Sequence, residues 1–214
     1  KNKTRALYWY REAKKEKLIT AYTAVGNVYF ENKKYKEAIE EYQEGIKQGG
    51  ITGYSSIAKV YLDENYSGYN VDEALYYLEK GVKNESATAM IQLGKMYIEG
   101  KGVIQDYTTA KELFEKAKAK EDLDANGQLA LMYLNGWGVS KDIEKAKALF
   151  QEAYEDHNTA TTYEMAKACL ENKISTVSNG LSYLFDIAQR TGHSVCNDAK
   201  KTLIDYFASH TAVL

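Results

Sequence analysis

Proline is absent from all 214 residues, and cysteine occurs only twice. With no residue that lacks a backbone N–H, nothing in the chain forces a helix to break or kink. Cys169 and Cys196 are too few for a disulfide framework and too far apart for a zinc knuckle, so a reducing compartment is the simpler setting. Histidine is nearly as scarce. His157, His193 and His210 cannot form a zinc site of the H-E-x-x-H type and leave few candidates for a catalytic triad, so neither a metal nor another cofactor is expected. No apolar run approaches the length that spans a bilayer, and Lys1 begins the chain without the charged, hydrophobic and small-residue pattern of a signal peptide. Membrane insertion is therefore not expected, and no targeting address is legible. Excess charge is missing too. Lysine plus arginine number 28 against 30 acids, a net charge of -2, which removes any broad electrostatic drive towards nucleic acid or anionic lipid.

What is present is repetition. Apolar residues make up 44% of the chain, enough for a continuous core, and tyrosine occurs 19 times, as if one bulky residue were reused at set positions. A shift of 36 residues lays Ala89-x-x-x-Leu93-Gly94-x-x-Tyr97 over Ala125-x-x-x-Leu129-Ala130-x-x-Tyr133. The same shift lays Gly100-x-Gly102-Val103 over Gly136-x-Gly138-Val139, and Asp106, Ala110, Phe114 and Ala117 over Asp142, Ala146, Phe150 and Ala153. Backwards it reaches Tyr61, Ala74, Leu78 and Gly81; forwards it reaches Met165 and Ala166. Val25-Gly26-x-x-Tyr29 with Ala38, Tyr42 and Gly45 is the same signature with a shorter inner loop.

Each unit reads as two helices. Met90, Leu93, Gly94 and Tyr97 stand at i, i+3, i+4 and i+7, one face of a helix, and Ala110, Phe114 and Ala117 do the same for a second. The small residues let backbones approach while the large ones fill the space between them, so Gly26, Ala58, Gly94 and Ala130 are expected buried at helix crossings. Asp106 and Asp142 stand where N-caps are needed, Asn70 with Glu73 reads as a capping box, and Gly100, Gly102, Gly136 and Gly138 read as positive-φ turns. No single hairpin buries both its faces, so neighbours must stack into an all-α solenoid without strands.

Ala6-x-x-x-Tyr10-x-x-Ala13 is the second half of a unit, so the chain starts in mid-repeat and reads as a piece of something longer. The expected organisation is a single solenoid domain over 1–214. Residues 1–17 form the second helix of a truncated repeat, 18–50, 51–85, 86–121 and 122–157 form repeats, and 158–192 and 193–214 form divergent terminal ones. In these, Leu181-x-x-x-Phe185-x-x-Ala188 reads as a second helix and Leu203, Ile204 and Phe207 as the apolar face of a last one.

These residues resemble the tetratricopeptide repeats and, more closely, their Sel-1-like branch. Val25-Gly26-Asn27-x-Tyr29 with Tyr35, Glu37-Ala38-Ile39 and Tyr42 resembles a plain tetratricopeptide unit. Ala89 to Ala117 and Ala125 to Ala153 resemble Sel-1-like units, with a tyrosine, then G-x-G-V, then an acidic N-cap and an alanine-rich second helix. The resemblance implies a right-handed superhelix of antiparallel helix pairs. It also implies a non-enzymatic adaptor or scaffold that holds a peptide or partner protein along a concave face of first helices. Two other functions compete. One is a structural spacer within a multidomain protein; the other is a secreted, cell-wall-directed enzyme or binder, disfavoured because the paired cysteines of such proteins are missing here.

Residues that could carry chemistry mostly have a plainer use. His193 and Cys196, i and i+3 on one helix with Asp198 nearby, combine a base with a nucleophile, but no oxyanion motif accompanies them. A surface histidine beside a packed cysteine is expected, and no catalytic residue is assigned. Cys169 falls on the register position of Tyr97 and Tyr133 and reads as a small core residue. The G-x-G loops follow helices and lack a following G-K-[ST], so they are turns rather than phosphate cradles. Trp137 is either a lid over its hairpin or an exposed contact residue, and its large area favours the lid. Tyr22, Tyr29, Tyr42, Tyr54, Tyr61, Tyr97 and Tyr133 fall at packing positions.

If the resemblance holds, the binding face is the other side of each first helix. One position there reads Asn27, Lys59, Lys95, Leu131, Lys167, and the position three later reads Phe30, Leu62, Ile98, Leu134, Leu170. Four beyond the first row stand Glu31, Asp63, Glu99, Asn135 and Glu171, able to neutralise the lysines along the helix. The expected partner-binding residues are Asn27, Lys59, Lys95, Lys167, Leu62, Ile98 and Leu134, facing a protein or peptide whose identity is not legible.

Overall fold

A computed structural model describes residues 3–16, 18–171, 173–190 and 194–210. Among these are twelve α-helices and no strand. They fall into two compact units, Lys1–Ala117 and Lys118–Leu214.

The first unit runs α1 (Lys3–Lys15), α2 (Ile19–Glu31), α3 (Tyr35–Lys47), α4 (Thr52–Tyr61), α5 (Val71–Lys83), α6 (Ala87–Glu99) and α7 (Tyr107–Lys118). Consecutive helices from α1 to α6 pack against each other, and α2, α4 and α6 also touch in series. Small residues set how closely they approach. A Cβ on Gly94 would lie 2.5 Å from Cε1 of Phe114, so the aromatic ring of α7 occupies the side-chain space that Gly94 leaves empty on α6. Gly26 is packed against Tyr42 in the same way, and Ala58 is wholly buried. One core cluster joins Tyr35, Ala38, Ile39 and Tyr42 of α3 to Ile57 and Val60 of α4.

The second unit runs α8 (Asp124–Asn135), α9 (Ile143–Glu155), α10 (Thr159–Leu170), α11 (Val177–Gln189) and α12 (Ser194–His210). Its pairs are α8 with α9 and α10 with α11, while α8 touches α10. Ala130 is buried, and the last core cluster gathers Ala166, Leu184, Ile187, Cys196, Ala199 and Leu203. This corrects the expected apolar faces of the final helices. Thr176 caps α11, so the inward register is Gly180, Leu184 and Ile187, one residue earlier than Leu181, Phe185 and Ala188. Phe185 is 47% and Ile204 68% exposed, and Phe207 is exposed as well.

Helix ends repeat as faithfully as helix faces. The backbone N–H of Asn70, Asp106 and Asp142 donates to the carbonyl of Tyr61, Tyr97 and Tyr133 at 2.9–3.0 Å, closing each inner loop onto the last turn of the first helix. Asn70 Oδ1 accepts from the N–H groups of Asp72 and Glu73, and Asp142 caps α9 through Lys145 N–H. Because Asn70 N–H is taken by Tyr61, the reciprocal half of the expected capping box is replaced by this loop closure. Gly100 and Gly136 end their helices at φ 67° and 74°. Between pairs, Gly49, Glu85, Glu121 and His157, 36 residues apart, all have positive φ, three of them without being glycine.

Candidate binding groove and a tyrosine-lined gap

The expected binding residues do not form one row. In the first unit α2, α4 and α6 bring several of them to a single groove of about 350 Å³. Phe30 comes from α2, Lys59 from α4 and Lys95 from α6, with Leu62 at the end of α4 and the buried thioether of Met96 as floor. Lys59 Nζ sits 5.1 Å from the centre of the Phe30 ring, a cation–π contact that links the first two helices across the groove. Neither Lys59 nor Lys95 is held in an ion pair among the described residues. Asp63 and Glu99 stand on the same walls. The Asn65 backbone N–H holds the Asp63 carboxyl below its usual range, aided by the Asn65 amide and the Tyr35 hydroxyl, so the groove presents both signs of charge.

Three walls of this groove have no counterpart in the sequence reading. Lys101, the central residue of Gly100-Lys101-Gly102, reaches it from the loop after α6. Treating G-x-G only as a turn hides that the turn presents its middle side chain. Gln92 lies one helical turn before Met96, and its Oε1 is buried without a hydrogen-bond partner among the described residues. Met96 itself is a core-type residue whose one open edge only packing reveals.

The remaining expected residues lie elsewhere. Asn27 Oδ1 accepts the Tyr42 hydroxyl at 2.7 Å, so Asn27 braces α3 as well as facing outward. Ile98 is half-buried on α6 and is not a wall of the groove. In the second unit Leu134 is only 3% exposed, a correction to its expected place on an open apolar row. Lys167 pairs with Glu164 at 2.7 Å and lies over Tyr163, rather than pairing with Glu171, which binds Lys173. His193 lies outside the described residues; Cys196 is buried in the last core cluster and Asp198 is exposed. Both cysteines are free thiols, and burial pushes the Cys169 thiol up. Trp137 is partly covered. No described helix is long and apolar enough to cross a membrane, and no three His, Cys, Asp or Glu side chains cluster as metal ligands among the described residues.

A second recess lies between α9 and α11. Met165 and Cys169 of α10 form its floor, Ala148 and Gln151 of α9 one wall, and Ile174 and Tyr183 the other. In the first unit the same register positions hold a packed tyrosine pair, Tyr61 stacked on Tyr77 with ring centres 6.0 Å apart and planes inclined by 18°. Gln43 of α3 donates to the Tyr77 hydroxyl at 3.1 Å.

Comparison with known proteins agrees with this architecture. The Sel1 repeat profile matches residues 1–17, 58–86, 87–122 and 123–158, more than half of the chain. No curated protein sequence matches. Among solved structures, a Sel1 repeat protein from Oxalobacter formigenes superposes with TM-score 0.62 at 21% identity, over 79% of this chain and 71% of that one. A sel1 repeat protein of Klebsiella pneumoniae subsp. pneumoniae gives 0.61 at 17% identity, over 90% and 97%. A protective antigen of uropathogenic Escherichia coli, described as displaying an SLR fold, gives 0.57 at 22% identity; this chain matches 84% of its own length but only 40% of that protein. These likenesses establish the fold.

Proposed function

We propose that this chain, which belongs to the Sel1 repeat family, is a non-enzymatic scaffold that binds an extended, acidic segment of another protein along the first helices α2, α4 and α6. The Sel1 repeat fold is generally a protein-interaction scaffold. The observation that carries the finer reading is the groove in which Lys59 and Lys95 stand without ion-pair partners among the described residues, beside Phe30, Leu62 and Met96. Two ammonium groups over an apolar floor, one of them above the Phe30 ring, suit a ligand that alternates carboxylates with apolar side chains. Lys59 and Lys95 are one repeat apart, on the order of 10 Å, a stride that an extended peptide covers in about three residues. Asp63 and Glu99 would repel a uniformly acidic ligand and so favour alternation.

Selection from a random-peptide library on the immobilised chain tests this reading without a known partner. Enrichment of sequences with acidic residues spaced by about three is expected. That enrichment disappears in Lys95→Glu and survives in Lys116→Glu, whose exposed side chain lies on α7. For a selected peptide, the loss on Lys95→Glu grows as salt is lowered, because the interaction is partly screened at physiological ionic strength. Equal effects of the two substitutions, or no enrichment, would leave a spacer role as the better account.

A further inference from the structure

The recess between α9 and α11 has an internal template. Counted from the helix N-caps, Gln151 and Tyr183 stand where Gln43 and Tyr77 stand in the first unit, and Cys169 lies three 36-residue periods after Tyr61. There the Tyr61 ring lies against Tyr77 and, with Tyr66, belongs to the core built on Tyr35, Ile39 and Ile57. At the second site the stacking ring is replaced by a thiol that is 1% exposed. The loop tyrosine has no equal either, since the connection from α10 to α11 is shorter and turns Ile174 inward. What remains is an open cavity of about 470 Å³, with Met165 and Cys169 below, Ile174 beside and Tyr183 along one wall. Tyr183 meets Tyr154 at 5.1 Å in an edge-to-face contact. Ser175 also lines the cavity, and on α9 Glu144 and Lys147 pair at 2.8 Å and Gln151 donates to Glu155.

We infer that this cavity is a binding site for one planar aromatic ring of the phenol class, seated where the missing tyrosine ring would be and stacked on Tyr183. The ring leaves water for a recess floored by Met165, Cys169 and Ile174, and the apolar area buried is mainly its own, because those side chains are already nearly closed to solvent. A flat π-face matches the Tyr183 wall better than a puckered ring of equal volume. Its hydroxyl points to the mouth, where Gln151 and the Glu144–Lys147 pair supply donors and an acceptor. The site is independent of the lysine groove.

The test uses the whole chain labelled with ¹³C at its four methionine methyl groups, of which Met165 alone lines this cavity. Titration with p-cresol is expected to shift the Met165 methyl saturably and to leave Met90 and Met132 in place. 4-Methylcyclohexanol should bind at least fivefold more weakly. Cys169→Tyr, which restores the ring, and Ala148→Phe, which closes the mouth from an exposed position on α9, should each weaken p-cresol binding at least tenfold. N-acetyltyrosinamide is the second arm. If it shifts Met165 as p-cresol does, a polypeptide can deliver the ring; if only p-cresol does, the ligand is a free small aromatic. The absence of a saturable Met165 shift with p-cresol, or undiminished binding by folded Ala148→Phe, would overturn the inference. A shift at Met96 alone would locate binding in the lysine groove and would overturn it equally.

Discussion

The hairpin α4–α5 and the hairpin α10–α11 begin from the same plan and fill it differently. In the first, Tyr61 stacks on Tyr77 and the space beside α3 is closed by aromatic rings. In the second, the residue at the Tyr61 position is Cys169, and α11 comes close instead: a Cβ on Gly180 would meet the Ala166 carbonyl and Cys169 Cβ at 2.9 Å. The corresponding residue of α5 is Ala74 and that of α9 is Ala146. Loss of a ring has therefore been met partly by moving a helix inward, which requires glycine, and partly by leaving a cavity open on the other side. A repeat position is thus a place in a packing scheme rather than a fixed residue, and a smaller occupant shifts the burden onto its neighbours.

The sharpest way to break the comparison is to make the first hairpin hollow. Tyr61→Cys should remove a half-buried ring without the compensating approach of α5, at a cost of about 2–4 kcal/mol, read from chemical denaturation. If p-cresol then restores part of the lost stability in Tyr61→Cys, the equivalence of the two sites is established from the opposite side. Unchanged stability would mean that Tyr61 is only a surface ring.

Next in size are the close approaches. Gly180→Ala should cost about 1–3 kcal/mol because the methyl group meets backbone that cannot swing aside, and Gly94→Ala a comparable amount through Phe114. A neutral Gly180→Ala would show that the second hairpin has slack where tight packing is described. The smallest effect belongs to the links between pairs. Glu121 and His157 hold φ of 61° and 59°, in the left-handed region that Gly49 also occupies, at 91°, without a side chain. Glu121→Gly or His157→Gly should stabilise the fold by roughly 0.5 kcal/mol, relief of strain outweighing the added flexibility of the unfolded chain. Each is checked by a rise in melting temperature.

Acid adds a pH-dependent test of the capping that the hairpins share. Hydrogen bonds from the Thr109 hydroxyl and backbone N–H, with a further one from Thr108 N–H, hold the Asp106 carboxyl below its usual range. Its folded value being the lower one, the cap stabilises fully above the ordinary aspartate range and is lost as pH falls through the folded value. Asp106→Asn should keep most of the cap while flattening this acid dependence of stability.

The 36-residue period, the helix pairs, the caps and the glycine turns could all be read from the residues, because each depends on a side chain's own size, conformation or hydrogen-bonding capacity and on neighbours three or four positions away. Gly94 as a small buried residue at a helix crossing is legible in this way, as is the buried place of Cys169. Tertiary packing decided the rest. It chose Gly180, Leu184 and Ile187 over the equally apolar Leu181, Phe185 and Ala188, because Thr176 begins the helix one residue earlier in phase than the repeat signature suggests. It buried Leu134, brought Lys101 and Met96 into the lysine groove, and left a cavity above Cys169. A sequence pattern identifies what a residue can do locally, whereas accessibility and empty space are sums over helices remote in the chain, and only their joint packing determines them.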